Sequence, residues 1–191
     1  MENKVLDETS ARHIHLTDDA VKALYGADAE LTVKKMLSQP GQYAAGNDKI
    51  TLVGPKGTLT VSVLGPTRKA NQVELSFTDA RVLGLKDVPV RESGDVAGTP
   101  GLKMVGPAGE LDITEGVVIA KRHIHMTPED AKEFGIEDKQ IVKVKVDSAR
   151  TTIFDDVVCR VHPTYALAMH IDTDECNAAC AFGTVYGEVI L

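Results

Sequence analysis

Lys121-Arg122-His123-Ile124-His125-Met126-Thr127 repeats, almost letter for letter, Ala11-Arg12-His13-Ile14-His15-Leu16-Thr17, a step of 110 from position 13 to position 123. Along an extended strand, alternate side chains leave the same face. Each His-x-His therefore sets two imidazoles side by side, with Cα atoms about 6–7 Å apart. Two neutral imidazoles facing one way can hold one divalent metal, at bonds of about 2.0–2.1 Å. A helix would serve worse, because neighbours on one helical face lie three or four positions apart. Each copy closes on Thr, a good helix N-cap. The stretch reads as strand, His pair, cap and short helix, delivered twice. A single His-x-His fits two histidines on a wet strand face equally well. Of the six His, however, four fall into these pairs, and only His162 and His170 lie outside.

Working outward, Thr17 is followed by Asp18 and Asp19 at the positive end of a helix that runs to Tyr25 and stops at Gly26. In the later copy Thr127 caps, Pro128 takes the first helical position, Glu129 and Asp130 fill the first turn, and Gly135 is the stop. Period-two alternation follows each helix, in residues 30–37 and 140–146, so the repeat is expected to run for about thirty residues. From Lys49 to Ile119 strands alternate with Gly-Pro turns. Val53-Gly-Pro-Lys-Gly57 and Val105-Gly-Pro-Ala-Gly109 are near copies, and Leu64-Gly-Pro-Thr-Arg68 is a third such turn. Residues 150–191 read as strands near Thr152–Val161 and Thr184–Leu191 around a helix from Asp174 to Ala181. Short strands at this spacing favour small barrels, which close on themselves and so avoid open edges.

The 191 residues suit one large or two small domains, and the repeat favours two. A net charge of −7 argues against a nucleic-acid or anionic-membrane partner, since both need a positive footprint. An acidic protein that handles an anion must supply cations locally, from metal or Arg. No apolar run reaches the ~18 residues of a membrane span. The start, Met1 to Glu8, lacks the apolar core of a signal peptide. Cys159, Cys176 and Cys180 are odd in number and suit a reducing compartment, so a cytoplasmic location is expected. Cys176 and Cys180 lie one helical turn apart. With no second Cys or His pair nearby they read as small buried thiols.

Three further residues carry chemistry. Arg68 follows a tight turn, and its planar fork binds phosphate or carboxylate in a bidentate way, although it reads equally as a surface cation. Glu74 interrupts the apolar Val73-Glu74-Leu75, where a charge needs a partner or a metal unless the strand face is wet. His170, in Met169-His-Ile-Asp-Thr-Asp-Glu175, could complete a three-His set with open metal positions. The acids after it could instead simply cap a helix. His162, before Pro163, reads as structural.

The strings Arg12-His-Ile-His-Leu, Gln39-Pro-Gly-Gln-Tyr-Ala-Ala, Leu52-Val-Gly-Pro-Lys-Gly, Leu64-Gly-Pro-Thr-Arg, Gln72-Val-Glu, Arg91-Glu-Ser-Gly, Arg122-His-Ile-His-Met and Met169-His-Ile-Asp-Thr-Asp-Glu span most of the chain. Together they resemble the PduL-type phosphotransacylases, or phosphate propanoyltransferases. The resemblance implies a mainly β fold with short α: two small β-barrel domains capped by short helices and related by the internal repeat. Residues 12–119 would form the barrel with the first His-x-His, Arg68 and Glu74. Residues 1–11 and 120–191 would form the barrel with the second His-x-His and His170.

The resemblance further implies two zinc ions or similar divalent metals, one on His13, His15 and Glu74 and the other on His123, His125 and His170. Arg68 matches the family's essential arginine. The reaction implied is acyl-CoA plus phosphate giving acyl phosphate plus CoA, with propanoyl or acetyl as the acyl group, as in propanediol degradation. Coenzyme A is then substrate and product, and the expected assembly is a homodimer. Family members sorted into bacterial microcompartments carry a leader ahead of the first His pair, where twelve residues stand here, so encapsulation is not expected without one. Two rivals share the same ligands: a metal-dependent acyl-CoA thioesterase, and a non-enzymatic module stapled by zinc. Structural zinc sites are usually four-coordinate and Cys-rich, whereas three protein ligands per site favour catalysis.

Overall fold

The structure is a computed structural model describing residues 3–191; Met1 and Glu2, and the sequence readings that touch them, lie outside the described residues. In chain order the first strands are β1 (Lys4–Thr9), β2 (His13–His15), β3 (Val33–Met36), β4 (Tyr43–Ala45), β5 (Ile50–Val53), β6 (Thr58–Gly65) and β7 (Gln72–Leu75). Then come β8 (Val90–Arg91), β9 (Leu102–Val105), β10 (Glu110–Ile113), β11 (Val117–Ala120), β12 (His123–Met126), β13 (Ile141–Val146), β14 (Thr152–Val161), β15 (Ala168–Ile171) and β16 (Val185–Ile190). The helices are α1 (Asp18–Tyr25), α2 (Phe77–Leu83), α3 (Pro128–Phe134) and α4 (Thr173–Ala179). The protein is mainly β with short helices, as the turn-rich sequence leads one to expect.

Two compact units result, Met1–Ala11 with Lys121–Leu191, and Arg12–Ala120. In the first, six strands close into a barrel in the order β1-β15-β12-β14-β13-β16. β13 shows why: its alternation sends Val142, Val144 and Val146 into the core beside Ile124, Met126 and Met169, and leaves Ile141 and Lys143 outside. In the second, a curled sheet runs β10-β9-β5-β6-β2-β7-β11-β8, with β4 pairing β6 and β3 pairing β4. Ile14, Leu52, Val63, Val73 and Met104 fill its core.

The caps follow the sequence. Ala20 N donates to Thr17 Oγ1 and Asp130 N to Thr127 Oγ1, each at 3.1 Å. The repeated Val-Gly-Pro-x-Gly turns cover helix C-termini, since Lys56 N donates to Leu83 O and Ala108 N to Leu24 O, each at 3.0 Å. A Cβ on Gly54 or Gly106 would collide with those same helix-end carbonyls, which explains the shared glycine.

Three local readings differ from the structure. Helix α2 was hidden in a run of strands and turns, although Ser76-x-x-Asp79 forms a full capping box. Helix α4 is capped by Asp172 and ends at Ala179, with Cys180 left-handed beyond it (φ 49°). The thirty-residue repeat breaks after the first helix: β3 is exposed on both faces, while its counterpart β13 is a barrel strand. The repeat resumes further on. β2 lies between parallel β6 and antiparallel β7, and β12 between parallel β14 and antiparallel β15. Ser62 and Glu74 flank His13, and Val158 and His170 flank His123, a step of 96 in both cases. The hairpin β3–β4 is an insertion in the first unit, and it accounts for the change of step from 110 to 96.

One buried group works against the barrel. Asp7 lies on the same inward face of β1 as Val5, is 5% exposed, and neither carboxylate oxygen has a hydrogen-bond partner among the described residues. Burial pushes its pKa up to about 7, from an ordinary 3.8. Between those values the folded chain binds more protons than the unfolded one, so Asp7 erodes stability as pH rises from about 4 to about 7. Asp7→Asn should therefore stabilise the fold relative to the parent, by a margin that widens from pH 4 to about pH 7 and reaches about 1–3 kcal/mol. Thermal melts across that range would show it, and a gap independent of pH would contradict it.

Candidate metal centres

In the unit Arg12–Ala120, β2 presents His13 and His15, both buried, and Glu74 sits opposite His13 on β7. One ligand atom from each lies within 4.8 Å of the others. His13 Nε2 is 3.4 Å from Glu74 Oε2, close to the edge of a tetrahedron built on zinc bonds, about 3.3 Å. His15 Nδ1 lies 3.2 Å from Leu64 O. A carbonyl only accepts, so Nδ1 carries the proton and Nε2 is the lone-pair nitrogen, 3.8 Å from Glu74 Oε1.

The electrostatics suit a cation. Burial first, and then the charges of His13 and Arg68, push His15 down to about 3 against the opposing pull of Glu74. The imidazole is thus neutral, as a ligand must be. Burial alone would raise Glu74, but His13, His15 and Arg68 outweigh it and hold the carboxyl well below the usual range.

Around Glu74 the hydrogen bonds divide its oxygens. Gln72 Nε2 (2.5 Å) and Ser93 Oγ (3.1 Å) both donate to Oε1, which leaves Oε2 facing His13. Ser93 Oγ also accepts from Arg68 Nη1 at 3.1 Å and from Gln72 Nε2 at 2.9 Å. Gln72 Oε1 in turn accepts from Gly94 N at 2.7 Å. Arg68 N donates to Leu16 O at 2.8 Å, which ties the Gly-Pro turn to the strand of the His pair. Gln72 shares a strand face with Glu74, two residues on, whereas nothing in the spacing of Ser93 relates it to either. Only the fold brings a loop Ser beside a strand Glu.

In the other unit, His123 and His125 on β12 meet His170 on β15, with one ligand atom from each again within 4.8 Å of the rest. The rings cluster at centroid distances of 4.6 Å (His123–His125), 5.2 Å (His123–His170) and 4.9 Å (His125–His170). His123 Nδ1 donates to Lys121 O at 2.8 Å, so Nε2 is its lone-pair nitrogen. Tyr165 tilts over His125 at 4.2 Å, a neighbour that the sequence did not indicate. Glu8 Oε2 is 3.8 Å from His170 Nδ1, too long for a direct hydrogen bond.

Both donor sets fit a divalent metal. Three donors converge in each, and one imidazole of each set, His15 or His123, is held from behind by a backbone carbonyl, as metal-ligating histidines usually are. His162 lies elsewhere, exposed, with its Nδ1 bonded within its own turn to Thr164. The thiols stay apart too: Cys159 and Cys176 are buried, and Cys176 Sγ donates to Ala181 O at 3.2 Å.

A family model described as phosphate propanoyltransferase matches residues 7–182. A protein of Thermotoga maritima named phosphate propanoyltransferase is 55% identical over 172 residues, covering 89% of this chain and 81% of that protein. One of Listeria monocytogenes with the same name is 48% identical over 192 residues, covering 100% of this chain and 89% of its own. One of Lachnoclostridium phytofermentans, again so named, is 53% identical over 172 residues, at 89% and 79% coverage.

Proposed function

The chain belongs to the phosphate propanoyltransferase family, and from that premise we propose that it is a metal-dependent acyltransferase moving a propanoyl or acetyl group reversibly between coenzyme A and inorganic phosphate. A phosphate oxygen forms the new C–O bond to the carbonyl carbon. The C–S bond breaks, and its electron pair leaves on sulfur with the proton that phosphate gives up. A divalent ion such as zinc at each cluster would supply Lewis acidity toward the carbonyl oxygen and the departing thiolate.

The observation that carries this reading is the network joining Arg68, Ser93 and Glu74. It couples the only phosphate-shaped cation among these residues to a ligand carboxylate. Arg68 would orient phosphate through two of its oxygens, which a Lys could not do. Ser93 fixes one nitrogen of that fork. Gln72 and Ser93 together keep Glu74 Oε1 occupied, so that Oε2 is the oxygen offered to the ion. Neutral His15 needs no deprotonation before it can bind. None of the three thiols lies in either cluster, and no acyl-enzyme is required.

A cytoplasmic location is part of the proposal, supported by the three free cysteines. No helix among the described residues is long and apolar enough to cross a membrane. The homodimer and an association with microcompartments rest on the family resemblance alone. Release of CoA from propanoyl-CoA, measured with and without phosphate while the acyl phosphate is trapped with hydroxylamine, tests the reading. CoA and acyl phosphate should form one to one and only with phosphate. Equal release without phosphate would make the protein a thioesterase.

A further inference from the structure

We propose that Arg12 and Arg122, the residues immediately before each His-x-His, are positioning residues that clamp the two ligand-bearing strands of each cluster, and the strand parallel to the His pair, together before any ion arrives. The inference rests on the metal reading of the two clusters.

Each guanidinium reaches two ways. Arg12 Nε donates to Thr60 O of β6 at 3.2 Å, and Nη1 to Asp79 Oδ1 at 2.9 Å. Arg122 Nη1 donates to Asp155 O of β14 at 3.1 Å, and Nε meets Glu175 Oε1 at 2.7 Å. Strands β6 and β14 are the parallel neighbours of the two His strands. Asp79 and Glu175 occupy the same place in both units. Each lies five residues after the third ligand, Glu74 or His170, in the first turn of the helix that follows the third ligand's strand. Each also accepts from its N-cap backbone N–H, Ser76 N at 3.3 Å or Asp172 N at 2.9 Å, and so fixes the turn at the end of that strand.

The same device is thus built twice on residues that are no metal ligands themselves. It ties the His strand, its parallel neighbour and the third ligand's strand-to-helix turn to one planar group. The fork is what permits it: two donor edges at fixed angles serve a carbonyl and a carboxylate at once, where an ammonium offers a single point. The Arg side chains are 41% and 32% exposed, and ion pairs so exposed contribute little to global stability. Their contribution is local order. Removing a cation from beside a metal cluster would, by charge alone, tighten metal binding. The clamp gives the opposite sign.

The test uses the full chain, stripped of metal and titrated with Co(II) against a competing chelator. His125→Ala and His15→Ala backgrounds isolate the first and second cluster respectively. Arg122→Gln should weaken Co(II) at the three-His cluster about 10-fold and leave the other unchanged, and Arg12→Gln should do the converse. Arg122→Lys should recover little. Glu175→Gln, which keeps the capping box, should match Arg122→Gln, and the double variant should be no worse than either single one. Metal-free circular dichroism guards against unfolding. Unchanged or tighter Co(II) binding, or equal weakening at both clusters by one substitution, overturns the clamp. A parent chain that binds no Co(II) overturns the metal reading itself.

Discussion

His15→Ala should lower phosphate-dependent turnover by at least ~100–1000-fold and bring metal content down from two ions per chain to one. The magnitude follows from the several kcal/mol that a Lewis acid contributes to a developing oxyanion, at 1.36 kcal/mol per decade of rate. His125→Ala should act alike on the second cluster, because its ring is one of three donors there. Neither change should unfold the chain. The backbone of β2 keeps its pairing to β6 and β7, and Ile14, fully buried, keeps its place in the core. Steady-state kinetics, elemental analysis and circular dichroism on the same preparations would decide it. Variants that lose fold together with metal would mark the clusters as structural staples.

Arg68→Ala should cut phosphate-dependent turnover by at least ~10–100-fold with metal content unchanged. A chain of net charge −7 repels phosphate, so the anion needs a local cation. Charge-assisted hydrogen bonds contribute roughly 1.5–3 kcal/mol each, and two are available to a bidentate fork. Arg68→Lys keeps the charge but loses both the fork and its set angle to Ser93, and should recover little. The deficit should appear largely as a raised KM for phosphate. A variant with an unaltered phosphate dependence would remove Arg68 from the reaction.

Strong local signals made much of this legible in the sequence. Thr17, Thr127, Pro128, Gly26 and Gly135 mark helix ends because capping is decided within four or five residues. The His pairs could be read because strand alternation acts over two residues. The rest depends on partners far along the chain. Glu74 and His170 occupy equivalent positions, yet one is a carboxylate and the other an imidazole, and the β3–β4 hairpin shifts their spacing. Pattern matching at a step of 110 therefore could not align them. Val, Lys and Met in β3 look half-buried in the sequence, whereas all four of its residues are exposed among the described residues. Helix α2 is masked in the sequence by the apolar strands and Gly-Pro turns around it, although its Ser76/Asp79 box is a local signal. Ser93 and the acid partners of Arg12 and Arg122 act across 19 to 67 residues of sequence, distances at which no periodicity operates.

The most direct measurement is the loss and return of activity with metal. Protein purified without a His tag and dialysed against chelator should lose its phosphate-dependent CoA release from propanoyl-CoA. Activity should return in proportion to added zinc and level off near two ions per chain, one for each cluster. Full turnover persisting at a metal content near zero would contradict the assignment of the two His clusters to catalysis.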